Sequence, residues 1–249
     1  MTLQKIDNIN AIDHRFIVDI ETAPLPDAAS FADTNLRPPK NYKKAETIEA
    51  WKQDARAKAL DRAALDPDLC RVVAIGVWPE GGSVEAEVAR TPEEEHIMIS
   101  KLWALLRRGH IVGYNVIGFD LPVLLRRSLY LSVEHPPAFR LNKYRPSNNI
   151  TDLMLQISFD GAMPYRSLRW YARRFGLATS ADAIDGRDVP MLATLGQWDA
   201  VKAHVEDDVR LTGELASRIE RGDILWGRQL VPQELNTPAP FAASNETVF

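Results

Sequence analysis

The sequence predicts an α/β fold, a mixed β-sheet flanked by helices, with a helical insertion between the first two strands. Three observations lead there. Strand-like runs come early, at RFIVDI (15–20), CRVVAIGVW (70–78) and SVEAEVA (83–89). Helices alternate with a further strand after them, the pattern of helices laid on a sheet. Composition agrees, since 45% hydrophobic and 26% charged residues over 249 positions are ordinary for a globular α/β chain.

The first strand holds the feature that needs explaining. In FIVDIET (16–22), Asp19 and Glu21 sit two positions apart in an apolar run. Residues i and i+2 of a strand share a face, so two like charges stand side by side where burial is expected. A metal ion, an arginine or water has to offset them. Residues 37–62 follow, with eight Lys or Arg against four Asp or Glu. They read as a basic helical insertion, either merely solvated or contacting nucleic acid. The second and third strands form a hairpin across Pro79, Gly81 and Gly82.

TPEEEHIMISKLWALLRR (91–108) opens with a threonine cap, a proline at the first helical position and acidic residues in the first turn. Its Ile97, Ile99, Leu102, Leu105 and Leu106 follow helical spacing. HIVGYN (110–115) reads as a short buried strand and DLPVLLRRSLYL (120–131) as a helix. Two further helices, 167–176 and 197–222, each end at glycine. Residues 1–222 therefore form a single domain, and 223–249, with Pro232, Pro238 and Pro240, an extended or disordered tail.

No stretch approaches the roughly 20 apolar residues of a membrane span, and the N-terminus lacks the apolar core of a secretory signal, so a cytoplasmic location is expected. The single cysteine, Cys70, excludes an internal disulfide and a cysteine-built zinc site. A net charge of −4 gives no general attraction to nucleic acid, which leaves the question to local charge.

Two more acidic positions join the first pair. Asp120 stands just after a strand end, in the first turn of the next helix. On the last long helix, Val201, His204, Asp208, Thr212, Leu215 and Ile219 recur at spacings of three or four, which puts His204 and Asp208 on the inward face. Asp207 points about 100° away, toward solvent.

In this order the motifs resemble the DEDD superfamily of 3′-to-5′ exonucleases, which have a ribonuclease H-like fold. The nearest likeness is to the exonuclease domains of family-B DNA polymerases and the free-standing predicted exonucleases related to them. FIVDIET matches the first motif, GYNVIGFDLPVLLRRS the second, with Asn115 and Asp120 at family-B spacing, and HVEDDVRLT the third. His204 stands four positions before Asp208, where the tyrosine subclass has its tyrosine. The resemblance implies two Mg²⁺ or Mn²⁺ ions held by Asp19, Glu21, Asp120 and Asp208, with Asp19 bridging. It also implies that His204 orients or deprotonates the attacking water. Backbone at Thr22 and Ala23 and the side chain of Asn115 would position the terminal nucleotide. The implied substrate is single-stranded DNA, with RNA left open. The residues outside the match are too few for a polymerase domain, so proofreading would involve a separate polymerase or repair partner.

Other groups have plainer readings. Asp152 caps a helix, with support of the site as the alternative, and Asp185, Gly186 and Asp188 form a turn. Trp170, Tyr171 and Phe175 read as core packing, with base stacking as the alternative. Two other functions use the same fold: a catalytically inactive nucleic-acid-binding or replication-partner module, and a hydrolase of small nucleotides.

Overall fold

The β-branched and aromatic residues of RFIVDIETAP form β1 (Arg15–Pro24), the middle strand of a five-stranded sheet. A computed structural model describes residues 15–107, 109–136, 149–178 and 184–227. Strands β2 (Cys70–Pro79) and β3 (Glu85–Val88) lie antiparallel on one side of β1. Strands β4 (His110–Gly113) and β5 (Ile150–Asp152) run parallel on the other, giving the order β3-β2-β1-β4-β5. The mixed sheet expected from the sequence is present, and β5 is an addition: three residues are too few to carry a period of their own.

Helices cover both faces. Phe16, Val18 and Ile20 of β1 pack on one side with α3 (Pro92–Leu106) and α4 (Asp120–Leu131). Ile17 packs on the other with α8 (Trp198–Gly227) and the short helices α5 (Leu153–Ile157) and α6 (Leu168–Arg174). The alternation fixes which face receives Asp19 and Glu21: that of Ile17, toward α8. Gly76, paired with Asp19 in the ladder, lets α8 come close, because a Cβ there would stand 2.6 Å from Val209. The β1–β2 register shifts between Glu21 and Thr22, an irregularity of the sort that re-aims side chains beside active sites.

Helix α1 (Ala28–Thr34) lies just before the basic insertion and α2 (Ala45–Asp61) within it. No residue of α2 is fully buried; its Ala59 and Leu60 pack partly against Ala28, Ala32, Ala63 and Leu69, while Arg56 pairs with Asp33 and Lys58 with Asp54. In α3, Thr91 accepts from Glu94 N–H as the expected cap, but Ile97 faces solvent and Met98 takes its place in the core. Short α7 (Val189–Thr194) was not foreseen, and α8 runs on through Gly222 to Gly227, because glycine ends a helix only when the next residues have no reason to continue it. Residues 228–249, most of the expected tail, lie outside the described residues.

One ion pair ties the α3/α4 layer to the sheet. Glu95, fully buried, receives Arg127 through two hydrogen bonds of 2.8 and 2.9 Å and also accepts from Val72 N–H at 2.8 Å. Arg127→Met would strand that carboxylate, and urea denaturation should show a loss of about 3–5 kcal/mol. Adding Glu95→Leu should recover part of the loss, short of the whole because Val72 N–H loses its acceptor.

Candidate active site

The end of β1 outruns its neighbour. The β1–β4 ladder stops at Ile17 and Val112, so the Ile20 N–H beyond it lacks a strand partner, and Asp120 Oδ1 accepts it at 3.1 Å. That bond, and its place at the first helical position of α4, fix Asp120 in a buried position beside Asp19 and Glu21. The loop before it is equally constrained. Asn115 is left-handed at φ 61°, and Asp152 accepts from the N–H groups of Asn115 and Ile117 at 3.0 Å each while capping α5 through Met154 N–H. Asp152 thus fulfils both readings given to it, cap and support.

From α8 come His204 and Asp208, one turn apart on the buried face, as the spacing indicated. His204 Nε2 lies 3.1 Å from Glu21 Oε1 and 3.9 Å from Asp208 Oδ2. The approach to Glu21 is short but poorly directed, so Nε2 remains a buried polar atom without a well-formed hydrogen bond. Glu21, His204 and Asp208 each offer a ligand atom within 4.8 Å of the others. Asp19 and Asp120 stand outside this tight group, though near enough for their charges to interact with it.

A residue that the sequence did not single out completes the arrangement. Arg169 of α6 donates to Asp208 Oδ1 at 2.8 Å and approaches Asp207 Oδ2 and His204 Nδ1 at 3.4 Å each. A guanidinium only donates, so this contact favours Nδ1 as acceptor and the imidazole proton on Nε2, toward Glu21. No periodicity marks Arg169, since its partners lie 35 to 39 positions away. Asp207 is a correction: instead of facing water it is paired with Arg169 and Arg210, which hold it under their guanidinium groups.

Electrostatically the site is overloaded with negative charge. Burial, then the charges of Asp120, Glu21 and Asp208, push the Asp19 carboxyl well above its ordinary range. Burial pushes Asp120 up to about 8, against the stabilising backbone hydrogen bonds it accepts. Glu21 and Asp208 are also raised by burial, with His204 and Arg169 pulling the other way. For His204 burial disfavours the charged ring, but the contact with Glu21 and the charge of Asp208 outweigh it and raise its pKa. The donors are carboxylate oxygens and one imidazole, with no thiolate among them, a set suited to hard divalent cations. The raised carboxylates are a condition that a cation would relieve.

The expected substrate contacts are placed less uniformly. The Thr22 hydroxyl is turned away and donates to Ala64 carbonyl, so only its backbone remains for a ligand. Ala23 lines an open groove of about 580 Å³ with Pro24, Leu25, Arg71, Met191 and Leu195. Asp185 caps the 3₁₀ turn Gly186–Asp188, and its pairing with Arg187 lowers its carboxyl to about 2, which agrees with the turn reading. Trp170 and Phe175 are surface residues, 44% and 37% exposed, not core. Only Tyr171 of that trio packs inward, against the core that includes Leu168 and Ala172. On so short a helix the side that carries Arg169 to α8 leaves its neighbour Trp170 outside.

A family model described as "predicted 3′-5′ exonuclease related to the exonuclease domain of PolB" matches residues 64–215, which include Asp120, His204 and Asp208 and exclude β1. Among solved structures, the family B DNA polymerase of the hyperthermophilic archaeon Pyrobaculum calidifontis is similar with a TM-score of 0.57 and 20% identity. The alignment covers 84% of this chain and 25% of the polymerase, a likeness of fold. No curated protein sequence matches. Among the described residues no helix is long and apolar enough to cross a membrane. With more than half its length matched, and with the α/β sheet and flanking helices expected of the ribonuclease H-like fold, the chain belongs to the family of predicted 3′-5′ exonucleases related to the PolB exonuclease domain.

Proposed function

We propose that the protein is a divalent-cation-dependent 3′-to-5′ exonuclease that removes nucleoside monophosphates from single-stranded DNA. The observation that carries this is the convergence of Asp19, Glu21, Asp120 and Asp208 from three elements, with the ligand atoms of Glu21, His204 and Asp208 within 4.8 Å. Asp19, Glu21, Asp120 and Asp208 would hold two Mg²⁺ or Mn²⁺ ions. When bound, such a pair stabilises the attacking and leaving oxygens of phosphodiester hydrolysis.

The chain's own groups supply the rest. His204 stands between Glu21 and Arg169; it orients the water through Nε2 and accepts its proton there once the ring's own proton has moved to Nδ1, with that nitrogen released from Arg169. Arg169, already beside Asp208, brings a fixed positive charge to the edge where a phosphate would lie. Asn115 and the backbone after Glu21 border the place for the terminal nucleotide. Preference for a single strand follows because a terminal nucleotide must leave its stack before its phosphodiester can reach a buried site. Partnership with a separate polymerase or repair complex accords with this activity.

Digestion of oligonucleotides labelled at either end tests the reading directly. With Mg²⁺, 5′-labelled DNA should shorten in single-nucleotide steps and 3′-labelled DNA should release its label at once, with RNA cut more slowly. Asp19→Asn should lower the rate about 10²-fold or more. Activity undiminished in chelator, or release from the 5′ end, would remove the proposal.

The carboxylate repulsion has its own signature in stability. Asp120 holds its proton more tightly folded than unfolded, with a pKa of about 8 against 3.8. Its stabilising contribution is therefore complete below the unfolded value and is lost as pH rises through about 8. In chelator, Asp120→Asn should melt close to the wild type near pH 4, given the 3.8 reference, and above it near pH 8. Mg²⁺ should close the gap by stabilising the wild type.

For His204, the proton-acceptor role predicts a rate that falls on the acid side as the ring is protonated. A phenol, with a pKa near 10, orients water but is a poor acceptor at neutral pH. His204→Tyr should keep part of the activity and lose that acid limb, measured at saturating Mn²⁺. Identical acid limbs in the two proteins would leave His204 only a positioning role.

A further inference from the structure

The segment that delivers Arg169 to the site also carries a surface that neither the fold nor the catalytic site accounts for. Between 159 and 175 the chain displays Arg166, Trp170, Arg173 and Arg174 to solvent, on and beside α6. The Arg166 and Arg174 guanidinium groups lie 5.7 and 5.9 Å from the Trp170 ring centre, and Tyr171 meets the same indole edge-on at 4.9 Å. Trp170 is thus held in orientation while 44% exposed. Among the described residues no carboxylate pairs with Arg166, Arg173 or Arg174, whereas Arg15, Arg56, Arg126, Arg127, Arg187 and Arg210 are all ion-paired. In a chain of net charge −4, these three arginines stand together beside an exposed indole that two of them, Arg166 and Arg174, flank.

The surface is contiguous with the site at both ends. Tyr114, next to Asn115, donates its hydroxyl to the carbonyl of Arg166, and Arg169, next to Trp170, donates to Asp208. Just before it, Phe159 is 70% exposed on a left-handed backbone, as are Asp160 and Gly161, so the turn spends conformational strain to hold an apolar ring outward.

We propose that this face binds the unpaired strand immediately upstream of the 3′ end being cleaved, with a base stacked on Trp170 and phosphates against Arg166, Arg173 and Arg174. An aromatic face is indifferent to base identity and guanidinium groups recognise phosphate, so the surface suits single-stranded nucleic acid of any sequence. The arginines already oriented around the indole do not have to be ordered when the strand arrives. The proposal rests on the exonuclease reading and extends it by assigning the substrate's upstream contacts.

The test compares a dinucleotide, too short to reach the surface, with a single strand of about 12 nucleotides. Trp170→Ala should raise KM for the long substrate about tenfold and leave the dinucleotide unchanged, and Trp170→Phe should restore much of the loss. Arg166→Gln/Arg173→Gln/Arg174→Gln should weaken long-substrate binding and flatten its salt dependence by about 0.7 in slope per lost contact. Unchanged KM and salt slope in both variants would overturn the proposal. So would equal losses on the dinucleotide, which would place the effect in Arg169 and the site. If the wild type hydrolyses neither substrate, the exonuclease reading fails, and fluorescence anisotropy of labelled strand on wild type and variants still decides the surface: equal affinities reject it, weaker binding by the variants upholds it.

Discussion

Repulsion among Asp19, Glu21, Asp120 and Asp208 is the constraint around which this molecule is arranged. Burial raises the pKa of each carboxyl most, and the like charges brought together there add to the cost. Each available positive group is turned toward them: the Ile20 N–H toward Asp120, His204 toward Glu21, Arg169 toward Asp208. These offset the repulsion only in part, since all four carboxyls stay raised. A fold that keeps such a cluster does so for something that needs concentrated negative charge, and hard cations meet that requirement.

The scaffold makes the cluster rigid. Central β1 is paired with β4 at its start and with β2 along Asp19 and Glu21, so the two carboxylates cannot separate without breaking the sheet. Gly76 sets how closely α8 lies over it, and hence how near Asp208 comes. Asp152 takes four backbone donors, two from its own helix and two from the loop leading to Asp120. Farther out, Glu95 and Arg127 fix α3 and α4 to β2. A site meant to hold ions at defined positions requires such support, because small displacements of ligands weaken coordination.

An acidic site also has to attract a polyanion. Net charge works against it, so the attraction must be local, and two basic regions offer it in different ways. On α2 the cations are exposed, and Arg56 and Lys58 are already matched by carboxylates. Around α6 the arginines are unmatched, adjacent to an exposed indole and connected directly to Asp208 through Arg169. The proposed strand path follows the second region, because its arginines flank an exposed indole and lead to Asp208 through Arg169.

Local patterns carried much of this into the sequence. The spacing of Asp19 and Glu21 fixed their common face, the four-residue step from His204 to Asp208 fixed theirs, and the Thr91–Pro92 start of α3 was readable because caps depend on neighbours in the chain. What depends on distant partners was not legible. Arg169 is chemically indistinguishable in sequence from Arg173 and Arg174 on the same short helix, and only the packing of α6 on α8 decides that one enters the site and two remain outside. Glu95 looks like one more solvated acid of a helix start until Arg127 and Val72 are brought to it. Trp170 and Phe175 have the composition of a core, and their exposure was settled by which side of α6 the sheet and α8 had already claimed. Periodicity assigns a residue to a face of its own element; which faces meet is decided by contacts tens of positions apart, and that information exists only in the folded chain.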